Sequence, residues 1–189
     1  MKPITLASAL AILAGATWAN EYQPAMESYL ETEITGWANS PVIVQAIKAQ
    51  NEMTAGYDQA EIDQLDQQWR AEVGNGDSPI IKEVLQNEAA NFLREQLDVS
   101  GGVISEIFMM DARGLNVAAS DVTSDYWQGD EDKFQKTYSM GPGAVHFGEV
   151  EFDESSQTYQ GQISVVIVDP ESNKPIGAMT IGLNAEALL

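Results

Sequence analysis

With 189 residues, 44% of them hydrophobic and 20% charged, the chain has a globular composition and the length for a sizeable core. Twenty-nine Asp and Glu against nine Lys and Arg give a formal net charge of −20, a field that repels phosphate backbones and argues against nucleic acid as a partner. The absence of cysteine removes thiol nucleophiles, thiolate metal sites and disulfides, and a single histidine, His146, limits zinc and Ser-His-Asp chemistry.

Residues 1–19 read as a secretory signal: Lys2 is the positive start, 4–16 the apolar run, and Thr17-Trp18-Ala19 the cleavage site before Asn20. An uncleaved anchor is the alternative. No other run approaches the ~18 apolar residues of a membrane span, so the product expected after cleavage is periplasmic and has no span.

Residues 20–102 are expected to be helical. Tyr22, Met26, Tyr29, Leu30, Ile34 and Trp37 recur at three- and four-residue spacings, an amphipathic pattern. Asn39-Ser40-Pro41 interrupts it, Ser40 as cap and Pro41 at the first position of a new helix running to about Met53, which together predict a long kinked helix. Residues 57–73 continue helically, with Ile62, Leu65 and Trp69 on the apolar side, and Gly74-Asn75-Gly76-Asp77 stops them. Ser78-Pro79 opens a further helix whose buried face runs from Ile80 to Leu97, before Gly101-Gly102.

Over residues 103–189 the period changes. Strands are predicted at 103–110 and 115–119 around an Asp111-Ala112-Arg113-Gly114 turn, then at 144–152, 159–168 and 175–183, with turn-rich separators at 153–156 and 169–173. Short connections make consecutive strands antiparallel, and the helices must bury their stripes on the sheet. The fold class is therefore α+β, with a five-stranded antiparallel sheet.

Between the second and third strands lies an excursion, 120–143, rich in aromatic and charged residues. Tyr126 and Trp127 offer flat walls with a polar tip, and a short helix over 130–138 puts Lys133 and Thr137 on one side and Phe134 and Tyr138 on the next. Lys133 is an anion-binding candidate, with an ion pair to Asp130 or Glu131 as the alternative; Lys136 is expected to face water. In strand 159–168, Gln162 and Ser164 share a face. They become the polar floor of a cavity if the excursion folds over them, and a wetted sheet face otherwise.

His146 has no histidine or cysteine with which to share a metal, and Glu149, Glu151 and Asp153 lack the loop spacing of a calcium site. No Gly-x-Ser-x-Gly elbow is present. No catalytic residue, metal or cofactor is expected.

Phe108-Met109-Met110-Asp111-Ala112-Arg113-Gly114 with Leu115-Asn116-Val117-Ala118-Ala119-Ser120, then Ser124-Asp125-Tyr126-Trp127-Gln128-Gly129-Asp130-Glu131, Phe152-Asp153-Glu154-Ser155 and Pro175-Ile176-Gly177-Ala178-Met179-Thr180, follow in an order that resembles a Cache (PDC, extracellular PAS-like) sensor domain. The resemblance is strongest over 103–183. It implies a PAS-like sheet with a ligand held under the excursion, Tyr126, Trp127, Lys133 and Tyr138 forming the lid side and Gln162 and Ser164 the sheet side. The implied ligand is a small organic acid, and the implied partner of a free-standing periplasmic form is a membrane receptor or sensor kinase. The apolar stripe from Tyr22 to Ile47 serves either a homodimer or packing on the sheet. An exported enzyme, or a structural protein with a vestigial pocket, are the rival readings.

Overall fold

The computed structural model describes residues 21–153 and 158–188. The signal segment and most of the 153–156 turn lie outside the described residues. Among the described ones, no helix is long and apolar enough to cross a membrane.

The N-terminal helix begins as α1 (Gln23–Tyr29) and widens into a π turn (Leu30–Ile34), where Thr35 sends both its N–H and its hydroxyl to the Leu30 carbonyl, at 2.9 and 2.8 Å. After the break, α2 (Pro41–Thr54) starts with Pro41 at its first position; Ser40 stands at the N-cap, but its hydroxyl makes no capping bond. Helix α3 (Gln59–Glu72) opens on a capping box, Asp58 accepting from Glu61 N at 3.0 Å while the Glu61 carboxylate accepts from Asp58 N at 3.0 Å.

The single helix expected after Ser78 is two, α4 (Pro79–Leu85) and α5 (Glu88–Val99). Asn87 causes the break: its carbonyl accepts from Ala90 N at 2.8 Å to cap α5, while its amide donates to Glu83 O and, across to the sheet, to Val117 O at 2.9 Å.

The sheet contains β1 (Ile104–Met110), β2 (Asn116–Ala119), β3 (Val145–Phe147), β4 (Glu151–Asp153), β5 (Thr158–Val168) and β6 (Pro175–Asn184). Its order is β2-β1-β6-β5-β3, every pair antiparallel, with β4 also on β5. It is thus α+β as the pattern requires, with six strands instead of five. The strand expected over 144–152 splits because the chain leaves the ladder after Gly148, whose N–H still reaches Gln162 O at 2.8 Å.

Register assigns each face a separate core. Ile107, Ile181 and Ile163 form one row toward the helices, beside the row Met109, Met179 and Val165, and pack with Met26, Ile34, Ile43, Ile47 and Leu93. The stripe from Tyr22 to Ile47 is spent there. The opposite face carries Phe108, Met110 and Ala178 and packs with Ile62, Trp69, Ile81, Val84, Tyr126 and Phe134. Burying a side chain such as Leu93 or Ile107, both fully enclosed, is worth ~1.5–3 kcal/mol.

Candidate functional site

The excursion first runs along the outer edge of β2. Leu115 and Trp127 form an antiparallel bridge, Asn116 N donates to Tyr126 O at 3.0 Å and Gln128 N to Gly114 O at 2.8 Å, so an edge that would otherwise stay open is covered. Gly114, at φ +81°, makes the hairpin turn tight enough, and Trp127 Nε1 donates to Arg113 O at 2.8 Å across it. Inside the turn Asp111 is fully buried. It accepts from Arg113 N and Leu115 N at 2.8 and 3.0 Å and from the Thr54 hydroxyl at 2.8 Å, yet burial still holds its carboxyl above the usual range.

Helix α3 grips the excursion from the other side. Asp66 Oδ1 accepts from the N–H groups of both Tyr126 and Trp127, at 2.9 and 3.1 Å, and Oδ2 takes Arg70 Nε at 2.7 Å. Trp69 stacks on Tyr126 with ring centres 5.4 Å apart and sends its indole N–H to Thr123 O at 2.8 Å. Sequence reading placed Trp69 on an apolar face and did not single out Asp66; an acidic residue beside a buried tryptophan was the only signal.

From there the chain turns over the sheet. The expected helix over 130–138 is shorter, α6 (Asp132–Gln135), because the Thr137 hydroxyl bonds back to Lys133 O and Phe134 O at 2.6 and 3.2 Å and closes the turn; a 3-10 turn (Tyr138–Met140) follows. Phe134 is buried with Phe108, and Tyr138 stacks on Phe134 with ring centres 5.0 Å apart. Ser164, fully buried, shares a hydrogen bond of 3.0 Å with Thr180. The space beneath the aromatic part of the excursion is therefore occupied by the protein's own side chains.

The hollow lies further along, between α6 and the β3–β4 edge: a cleft of 630 Å³ lined by Glu131, Asp132, Lys133, Lys136, His146, Phe147, Gly148, Glu149, Glu151, Phe152, Gln160 and Gln162. Of the six residues singled out from sequence, Lys133 and Gln162 meet on it. The other four do not line it: Tyr126 and Trp127 are held against the β2 edge and α3, Tyr138 stacks on Phe134, and Ser164 is paired with Thr180 within the sheet.

Lys133 Nζ bonds Glu131 Oε2 at 2.8 Å and Gln128 Oε1 at 3.3 Å, and stands 5.3 Å from the centre of the Phe108 ring. Lys136, expected to face water, is half exposed at the mouth and paired with Asp132 at 2.7 Å. His146 projects from β3 into the same cleft, its pKa held below the usual value by burial and by Lys136, against a smaller opposing pull from Asp132. On the floor Gln160 and Gln162 donate to Glu106 Oε1 at 2.6 and 3.2 Å, and the Ser105 hydroxyl donates to Gln160 Oε1 at 2.9 Å. A Cβ at Gly182 would press on the Gln160 amide and the Glu106 side chain and displace them from this arrangement. Sequence reading missed Lys136, His146 and Gln160. Gln160 alone carried a signal, by sharing the strand face of Gln162. No group of three metal-ligating side chains occurs among the described residues.

Neither a protein-family model nor a curated protein matches this chain. Among solved structures it is similar to sensory domains. The sensory domain of the Campylobacter jejuni chemoreceptor Tlp3 with isoleucine bound shares 13% identity at a TM-score of 0.42, over 88% of this chain and 63% of that one. The sensor domain of the Vibrio cholerae histidine kinase DctB shares 12% at 0.36, over 89% and 57%. An extracellular ligand-binding receptor from Desulfohalobium retbaense shares 9% at 0.41, over 80% and 26%. The chain thus spans less than two thirds of the length of these structures. By name they are sensory domains and a ligand-binding receptor.

Proposed function

We propose that this protein is a small-molecule-binding sensor that works outside the cytoplasm, takes a small organic carboxylate in the cleft between α6 and the β3–β4 edge, and passes its ligand state to a membrane receptor or kinase. One observation carries the reading: in a chain with nine Lys and Arg and a net charge of −20, two lysines and the one histidine converge on a single cleft of 630 Å³. That volume lies within the range of ~300–1,000 Å³ typical of small-molecule sites. Lys133 supplies the charge, and His146 and the carboxamides of Gln160 and Gln162 supply directed polar contacts. The signal segment expected over 1–19 supports export, and a membrane receptor or kinase is the partner that the resemblance to Cache domains implies.

Thermal shift against small mono- and dicarboxylates tests this. A ligand at 100 times its Kd adds about 2.7 kcal/mol, and Lys133→Gln, which keeps the stem over Phe108, removes the shift. A panel without a response, or a variant that responds like the parent, overturns the reading.

A further inference from the structure

The ammonium of Lys133 is already engaged. Its side chain is 18% exposed and is held from three sides: by the Glu131 carboxylate at 2.8 Å, by the Gln128 carbonyl oxygen at 3.3 Å and by the Phe108 ring. Two of the three N–H donors of the ammonium are taken by Glu131 and Gln128, so an incoming anion competes with them for Lys133. Phe108 is fixed in the sheet and Gln128 is 2% exposed, with its amide on Asp125 O and on the Asp125 carboxylate, so neither can leave cheaply. The Glu131 side chain is 36% exposed. Its backbone is fixed as the N-cap of α6, accepting from Phe134 N and Gln135 N at 3.0 and 2.9 Å, but its carboxylate makes no capping bond and is free to swing into water without unwinding the helix.

We infer that Glu131 is a built-in stand-in for the ligand's carboxylate and sets the affinity of the cleft: an anionic ligand binds by exchanging with Glu131 on Lys133, so that Lys133 is never left buried and unpaired. The exchange rests on the reading of the cleft as an anion site. It swaps one N⁺–H···O⁻ bond for another, and its cost is the release of a part-exposed ion pair, a small quantity that selects against weakly held anions. Lys136 and Asp132, both exposed at the mouth, form a similar pair that a ligand does not need to break.

Succinate is the probe. Its binding to the parent, Glu131→Gln and Glu149→Gln is followed by backbone amide chemical shifts at 131–136 and 146–149. Glu149→Gln removes the same charge from the same cleft without touching Lys133. Exchange predicts that Glu131→Gln binds about two- to fivefold more tightly than the parent, while Glu149→Gln gains distinctly less. Parent-like affinity in Glu131→Gln, or equal gains in the two variants, overturns the exchange and leaves the carboxylate site standing. Absence of shifts in all three proteins overturns both.

Discussion

Two ionisable side chains illustrate what burial does at the scale of one residue. His146 titrates below the usual value of about 6.5, chiefly because burial penalises its cation. The unfolded chain therefore holds the proton more tightly, and the stability contributed by the neutral ring is present above that value and lost as the pH falls through it. Binding has the opposite sign: protonation adds a charge to the cleft, so carboxylate affinity rises between pH 7.5 and 5.5 in the parent and changes much less in His146→Gln, as calorimetry at the two pH values checks. Asp111 is the converse case. Its carboxyl is raised by burial, so the window in which the folded state holds the extra proton lies above the unfolded value, and stability falls as the pH rises through it. Removing the acceptor altogether strands the Arg113 and Leu115 N–H groups, while the Thr54 hydroxyl keeps the Gln50 carbonyl at 3.1 Å. Asp111→Ala is expected to cost about 1–3 kcal/mol in urea denaturation for such a group left unpaired, and Asp111→Asn, which keeps one acceptor oxygen, distinctly less.

At the scale of elements, the parts legible in sequence were those governed by local chemistry. Ser-Pro pairs marked the starts of α2 and α4, and the two-residue alternation of β5 assigned Gln162 to the sheet face that meets the cleft. Departures came from side chains that act across space. Asn87 reads as an ordinary helix-interior residue until Val117 O is seen to claim its amide, and Thr137 ends α6 by bonding backward. For Lys133 the sequence left anion binding and an ion pair with Asp130 or Glu131 open, and the structure shows the pair with Glu131. His146 was not legible as a cleft residue, because its approach to α6 depends on β3 pairing with β5 in the register His146 to Ser164. Asp66 was the least legible, since the groups it serves are backbone N–H 60 and 61 residues away. Asp66→Ala should leave the sheet intact but raise amide hydrogen exchange selectively over 123–128, with a loss of about 1–3 kcal/mol in stability.

For the whole molecule, charge sets the response to salt. A net charge of −20 repels itself in the compact state, so raising NaCl from low concentration to about 0.5 M should increase the melting temperature by a few degrees, read by calorimetry. On the proposed reading of the cleft, the same salt should weaken carboxylate binding, since it screens the attraction of Lys133 for the anion. Opposite signs for stability and affinity in one titration are a signature that a generally salt-loving protein without a cationic site would not give.

The grip of α3 on the excursion has a mechanical corollary. One oxygen of Asp66 clasps two successive peptide groups, and the indole stack lies directly behind them, so the strip leading into α6 behaves as a lever pinned at its root. Displacing that strip therefore has to carry α3 along or give up both hydrogen bonds of Asp66.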